Sequence, residues 1–324
     1  MSAYLHSFAH HLPEQVLTND DLARLTGKEP GWILKASGIR ERRWASSVTS
    51  AVDLAVTAAK GSLEQAGLEG SQVGLLLVAS GSEASGFPGP AGEIARRLGL
   101  DTTPAIDLPI ASAGSLFGIV LAADATARHE HVLVVATEKM SPLIAPEGAD
   151  GDGGLDPNTA ILFGDGAGAV LVSRMSPGGH ALKFTDAVLH SDGQFQEALT
   201  YRPAQHTTLQ MNGLSVIMQA VRKLPRVIEE VLETRNLTPA DLGMLLCHQA
   251  NRNLLDRVAK FLDLPAKKVF VNVDRYGNTS SASLLIAASE WAVGTDARDV
   301  SDPVVLASFG AGFHWGAVLA EPIA

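Results

Sequence analysis

Three residues of this chain have the types that an acyl-transfer site uses, and each stands where an apolar run breaks. Ser112 sits in Ala105-Ile-Asp-Leu-Pro-Ile-Ala-Ser-Ala-Gly-Ser-Leu-Phe-Gly-Ile-Val-Leu-Ala122, His248 in Cys-His-Gln-Ala-Asn and Asn278 in Tyr-Gly-Asn-Thr-Ser. An apolar strand, a turn of small residues and an apolar helix would place Ser112 at a helix N-terminus. Backbone N–H groups and the helix dipole favour developing negative charge there. His248 follows one strand-like run and precedes a helical one, the place where α/β folds build sites. A hydroxyl nucleophile, an imidazole base and a carboxamide are parts that acyl transfer requires. Each residue also has an ordinary reading. Ser112 could simply allow close packing, His248 could be a satisfied structural histidine, and Asn278 or Thr279 could cap a helix.

Other candidate motifs do not hold up. Asp165 lies in Gly164-Asp-Gly-Ala-Gly168, but the spacing is not Gly-x-Gly-x-x-Gly, a strand rather than a helix should follow, and an acid repels phosphate; it reads as a structural turn. His6, His10, His11, His129 and His131 show no zinc spacing, so no metal site is expected. Ala-Ser-Ala-Gly around Ser112 is not the Gly-x-Ser-x-Gly elbow of α/β-hydrolases. Cys247 adjoins His248 in an apolar run, and strand alternation turns it the other way, into the core.

The elements that would position these residues alternate along the chain. Thr18-Asn-Asp-Asp-Leu-Ala opens a helix with capping chemistry, Ala51 to Ala66 is a helix stopped by Gly67, and the run from Ala91 is a helix with a Gly stop. Val73 to Ala79 and His131 to Thr137 read as buried strands. Thr159 to Phe163, then Gly164 to Gly168, then Ala169 to Ser173 reads as strand, tight turn, strand. In the second half, Leu214 to Arg235 is an amphipathic helix containing Pro225, Leu242 to Cys247 a strand, Asn251 to Leu262 a helix, Val269 to Asn272 a strand, and Ser281 to Val293 a helix. Val304 to Phe309, Gly310-Ala-Gly312 and Trp315 to Ala320 repeat the strand–turn–strand pattern that closes the first half. The recurrence suggests a duplication, with halves 1–174 and 175–324 and a break at Pro177-Gly-Gly. Gly81 to Pro90 and Glu147 to Pro157 read as long functional loops. Buried strands joined by helices imply a layered α/β fold with covered sheets.

Composition bounds the function classes. The chain has 324 residues, 46% of them hydrophobic, enough for a large core. A net charge of −10 does not suit nucleic acid or an anionic membrane. One cysteine allows no internal disulfide, the first residues lack a signal peptide's pattern, and no apolar run reaches the roughly 18–20 residues of a membrane span, so a cytoplasmic protein is expected.

Together the segments resemble the thiolase superfamily, and within it β-ketoacyl-acyl-carrier-protein synthase III. The similar stretches are Trp32-Ile, Gly38 to Arg43, Ala136 to Met140, Asn158 to Ala169, Leu189 to Gly193, His248 to Asn251, Tyr276 to Ser280 and Gly310 to Gly316, in the family's order across nearly the whole chain. The resemblance implies two pseudo-symmetric α/β halves in a five-layer α-β-α-β-α sandwich, usually a homodimer. It implies no cofactor beyond the substrate's own coenzyme A or carrier-borne phosphopantetheine. The family's catalytic His and Asn fall on His248 and Asn278, and its nucleophilic Cys falls on Ser112. An oxyanion hole from the backbone of Ser112 and the Gly310–Gly312 turn is implied. So are substrate contacts by Trp32, Arg40, Gly213, Asn251 and Arg252, and an acyl pocket lined by Leu189, Phe313 and the partner subunit's Phe87.

The serine changes the chemistry in a definite direction. A thiol has a free pKa of about 8.5, and a helix N-terminus can bring it to the thiolate. The same field cannot ionise a hydroxyl, so Ser112 needs a base in contact, and His248 is the expected one. An oxyester is also a poorer electrophile toward a carbanion than a thioester. Positions where the family often has arginines hold Ala36 and Asn253, so coenzyme A would be gripped weakly or the donor would arrive on a carrier protein; Arg40, Arg43, Arg222, Arg226, Arg252 and Arg257 could form a basic rim for either. The expected reaction is acylation of Ser112 by an acyl thioester, followed by decarboxylative condensation with a malonyl-carrier protein in a specialised fatty-acid or polyketide pathway. Two alternatives stand beside it. One is transfer of the acyl group from Ser112 to an alcohol or amine. The other is a chain inactivated by an engineered or natural Cys-to-Ser change.

Overall fold

The computed structural model describes residues 2–83, 86–144, 157–177, 181–205, 208–294 and 300–323. The expected loop from Glu147 lies almost wholly outside the described residues, as do Gly178 and Gly179 of the expected break and part of the loop after Gly81.

Among the described residues, nine strands make one sheet: β1 (Ala3–His11), β2 (Leu75–Ala79), β3 (Ala105–Leu108), β4 (His131–Glu138), β5 (Gly166–Ser173), β6 (Leu182–Ser191), β7 (Met244–Cys247), β8 (Val304–Gly310) and β9 (His314–Pro322). Their order is β7-β8-β9-β6-β1-β5-β4-β2-β3. From the β3 edge inward the pairings run parallel, parallel, antiparallel, antiparallel. The other half repeats this order. A parallel bridge joins Val269 to Leu245, β7 and β8 are parallel, and β8–β9 and β9–β6 are antiparallel. The two sets meet where β1 pairs with β6 through Ala3↔Phe184, Tyr4↔Lys183 and Leu5↔Leu182.

The helix expected after Thr18 is present as Asn19–Thr26, and the helices that cover the sheet and flank the site are α1 (Pro30–Ser37), α2 (Ala51–Ala66), α3 (Pro90–Arg97), α4 (Gly114–Ala125), α5 (Gly213–Glu233), α6 (Arg252–Phe261) and α7 (Ser283–Val293). Helices α4 and α7 are apolar over most of their girth, with Asp124 and Glu290 toward their C-terminal ends, and such helices are buried. They form the central layer, with Leu116, Ile119, Leu284 and Ile286 packed between Leu77, Val134 and Val172 of one set of strands and Leu246, Leu306 and Val318 of the other. Helices α2 and α3 cover the outer face of the first set, and α5 and α6 that of the second. The result is the five-layer α-β-α-β-α order of the thiolase fold. Among the described residues, no helix is long and apolar enough to cross a membrane.

Two expected strands are not strands. Thr159 to Phe163 begins inside a helical turn, Pro157–Ala160, and ends on one bridge at Phe163. Pro157 opens that turn with the fixed φ a helix start needs. Val269 to Asn272 keeps only the bridge at Val269, because the chain turns at once into a short helix, Val273–Tyr276. The Gly164–Gly168 run is not a turn either; from Gly166 it is already β5.

Candidate active site

The first parallel strands of each set deliver the site. β3 ends at Leu108, and residues 109–113 turn into α4, whose N-cap is Ala113. Ser112 sits in that turn with φ 64, a left-handed conformation that costs a non-glycine residue about 1–3 kcal/mol. The turn is held from the other half by Gly310 at the end of β8. A Cβ on Gly310 would lie 2.1 Å from the Ala111 carbonyl oxygen and 3.1 Å from Ser112 Cβ. No other residue type fits there, so the glycine sets how close the two halves approach at the serine. His248 follows β7, with its N–H bonded to Ala307 O of β8 at 2.8 Å. Asn278 precedes α7, tied by its own N–H to Leu162 O at 2.8 Å and by its carbonyl to the N–H of Gly164 at 3.0 Å.

These three side chains line one cavity of about 440 Å³. Trp32, Gly213, Asn251 and Gly310 are on its wall too. Much of the rest of the wall is apolar, from Leu162, Phe163, Leu199, Met211, Val216 and Phe309. Trp32 is 42% exposed beside Leu214 at 72%, which makes the mouth apolar. Lys28 Nζ stands 5.0 Å over the Trp32 ring.

Several expected contacts fall elsewhere. Arg40 and Arg252 do not line the cavity. Arg40 is exposed with its N–H on Asp274 O, and the Arg252 guanidinium is drawn 2.8 Å from Asp256 one helical turn along α6. Asn253 spends its amide on the Lys35 and Ala36 carbonyls, locking α6 to α1. Phe313 is fully buried and stacks on Phe195 and Phe309 in the outer core, and Leu189 packs beside Gly316 under α4. Neither lines the cavity: Phe313 lies in the turn between β8 and β9 with its ring in the outer core, and Leu189 is a β6 position packed into the central layer. Gly312 lines a different cavity of about 240 Å³, with Ala111, Leu143, Tyr201 and His314. Phe87 is 99% exposed and touches neither cavity.

The hydrogen bonding corrects two expected roles. The Ser112 N–H does not point at an empty oxyanion position. It donates to the hydroxyls of Ser280 and Ser281, at 3.0 and 3.1 Å. Nor does Ser112 bond to His248; among the described residues its Oγ has Ser280 Oγ at 3.4 Å. The serines come from the turn 280–282 before α7, which only the fold brings to Ser112. Behind them lies Glu138, fully buried at the end of β4. Its carboxylate accepts the N–H groups of Gly81 and Ser82, and both the N–H and the hydroxyl of Ser281. None of Glu138, Ser280, Ser281 or Ser283 was singled out by the sequence. A buried acid ending an apolar strand, and three serines within five residues of Asn278, were the available signals. Asp165, by contrast, is structural as expected, though the segment that holds it is not a turn. It is buried and accepts from Ala45 N–H, Ser141 N–H and Ser141 Oγ.

Burial pushes the His248 ring down to about 4, against a smaller opposing effect from the Ser280 backbone, so the ring is neutral near pH 7. Its Nδ1 lies 2.6 Å from Ser283 Oγ. The Asn278 Oδ1 accepts the Ser280 N–H at 2.9 Å, which leaves its NH₂ as the free end. A neutral imidazole and an oriented amide on one apolar cavity can hold a carbonyl that gains negative charge.

Comparison with known proteins places this geometry. A model of 3-oxoacyl-[acyl-carrier-protein] synthase III matches residues 106–193, and one of that enzyme's C-terminal part matches residues 232–321. The first stretch holds Ser112, the second His248 and Asn278. The chain is 36% identical to the beta-ketoacyl-[acyl-carrier-protein] synthase III of Oleidesulfovibrio alaskensis, over 98% of each chain. It belongs to the synthase III family. The synthase III of Geobacillus kaustophilus is also 36% identical, again over 98% of both chains. The crystal structure of the Aquifex aeolicus synthase III superposes with a TM-score of 0.88 at 30% identity, covering 99% of this chain and all of that one. The priming β-ketosynthase of the R1128 polyketide pathway gives 0.86 at 29% identity, covering 99% and 96%. Synthase III enzymes are acyltransferases, and this chain is one by family.

Proposed function

We propose that this chain takes an acyl group from a thioester onto Ser112 and condenses it with a malonyl group on a carrier protein, His248 and Asn278 holding the enolate formed as CO₂ leaves. The observation that carries the reading is the convergence of Ser112, His248 and Asn278 on one cavity of about 440 Å³ with largely apolar walls. Such a cavity suits an acyl or pantetheine chain, and its apolar mouth at Trp32 and Leu214 suits the arm of a thioester more than its phosphates. With Ala36 and Asn253 bearing no charge and Arg252 paired to Asp256, a carrier-borne donor fits the mouth better than coenzyme A. We place the working unit as a homodimer in which the partner's Phe87 is available to the site, and its setting as a specialised fatty-acid or polyketide pathway.

A second reading keeps acyl-Ser112 and gives its acyl group to an alcohol or amine. It is favoured by the oxygen at 112, since an oxyester yields to such nucleophiles more readily than to a carbanion. Both readings are tested together. The protein is incubated with an acyl thioester and weighed intact, then given malonyl-carrier or a candidate amine. An adduct on Ser112 discharged with CO₂ release supports condensation, and discharge without CO₂ supports the second reading. No adduct at all removes both, and a Ser112→Cys variant that then condenses rapidly identifies a chain silenced at this one atom.

A further inference from the structure

Two cavities flank the Ser112 turn. Ser112 and Gly310 line the large one, their neighbours Ala111 and Ala311 line the one of about 240 Å³, and Leu199 is on the wall of both. An arm that brings a thioester in past Trp32 occupies the large cavity, so the group beyond the carbonyl needs other room. The small cavity supplies it on the far side of Leu199.

The two walls differ in chemistry. Beside Leu143 and Leu209, the small cavity presents Gln196, Thr200, Tyr201 and His314. His314 is held in place. Its Nδ1 lies 2.8 Å from Ser191 Oγ, and its ring meets Phe117 edge-on with centroids 5.5 Å apart. A Cβ on Gly312 would lie 2.4 Å from both its Nε2 and its Cδ2, so only a glycine at 312 leaves the imidazole its place on this wall. Nε2 is the nitrogen left over. Among the described residues, neither it nor the Tyr201 hydroxyl has a hydrogen bond within the chain. Burial holds the His314 ring below the usual imidazole range, so near pH 7 it is neutral, with one nitrogen a donor and the other an acceptor. The lining includes no Lys, Arg, Asp or Glu. A charged group would lose its water there and gain no counter-charge, and a plain alkyl group would leave the half-buried polar atoms without partners.

We propose that the small cavity seats the far end of the acyl group carried by Ser112, and that His314 is a specificity-determining residue selecting an end with an uncharged hydrogen-bonding group, a hydroxyl or carboxamide, over plain alkyl. The inference rests on the functional reading above and names its substrate class. The acyl group is short, because about 240 Å³ is below the roughly 300–1,000 Å³ of drug-sized sites.

The test measures binding and needs no turnover. Two pantetheine conjugates are titrated into the protein by calorimetry, each with NH in place of the thioester sulfur so that no transfer occurs. One carries a 3-hydroxybutanoyl group and the other a 3-methylbutanoyl group, which differ by a hydroxyl in place of a methyl. The hydroxy conjugate should bind about tenfold more tightly, the scale of one hydrogen bond. Equal affinity, a preference for the methyl conjugate, or no binding of either overturns the proposal. His314→Phe keeps a ring against Phe117 and removes both nitrogens. It should abolish the preference while the methyl conjugate binds at least as well as before, and a preference that survives overturns the assignment to His314. If His314→Phe does not fold, His314→Leu serves the same comparison, and the wild-type pair of titrations decides the class of acyl group in either case. A hydroxyl preference in a protein whose Ser112 never takes up an acyl group would count against the proposed function and not against the cavity.

Discussion

At the scale of single residues, His248 is a site group whose charge the fold suppresses. Its free pKa lies near 6.5, and burial lowers it to about 4. The unfolded chain therefore binds a proton that the native state refuses between those values, and stability rises with pH across that window. The contribution is complete above pH 6.5, is lost as pH falls toward 4, and amounts to about 3 kcal/mol at about 1.4 kcal/mol per pKa unit. Urea unfolding at pH 7 and pH 4.5 should show a smaller loss for His248→Gln than for the wild type; equal losses would contradict the assignment. His6, His10, His131 and His314 are also lowered by burial and act in the same direction, so the comparison between variant and wild type isolates His248. The residue types at 112, 248 and 278 were legible from the sequence because each interrupts an apolar run. Their hydrogen-bond partners were not. Ser280 and Ser281 are 168 and 169 positions from Ser112, and no local pattern records which hydroxyl will meet its N–H.

At the scale of elements, the turn before α4 depends on the end of β8. Gly310→Ala would drive a methyl into the Ala111 carbonyl and the Ala113 N–H, groups of backbone that cannot swing aside. Overpacking of this kind costs about 1–3 kcal/mol. We expect a lower melting temperature together with loss of any Ser112 adduct. A variant with wild-type adduct formation would show that the approach at Gly310 does not set the serine. The elements themselves were read well where composition and caps agree. Ala51–Ala66 runs from the Ser50–Asp53 capping box to Gly67 at φ 64, as its residues dictate. They were read poorly where a segment is short and apolar. Thr159 to Phe163 fits a buried strand or a helical turn equally well by pattern, and Pro157 tips it to the turn. β1 was missed because Ala3–His11 has three histidines and little apolar alternation, yet it lies near the middle of the sheet, paired with β5 and β6. Pairing from both sides makes it a strand.

At the scale of the whole molecule, α4 and α7 belong to neither set of strands alone. Leu116 of α4 lies in one cluster with Leu77 and Val134 of the first set and Leu306 and Val318 of the second. The protein should therefore unfold as one unit. Leu116→Ala should cost about 2–5 kcal/mol. Far-ultraviolet circular dichroism should report the same midpoint as the fluorescence of Trp44 and Trp315, which sit in different hydrophobic clusters. Two separated transitions would show halves that are stable apart. The sequence by itself determined the layered α/β class, the family and the three residue types of the site, because these follow from local periodicity, caps and motif spacing. Tertiary structure alone decided that Ser112 gives its N–H to Ser280 and Ser281, that His248 leans on Ser283, and that Leu189, Phe313 and Gly312 face away from the main cavity. Those outcomes depend on which way side chains turn when elements far apart in the chain close on one another, and a one-dimensional pattern carries no term for that direction.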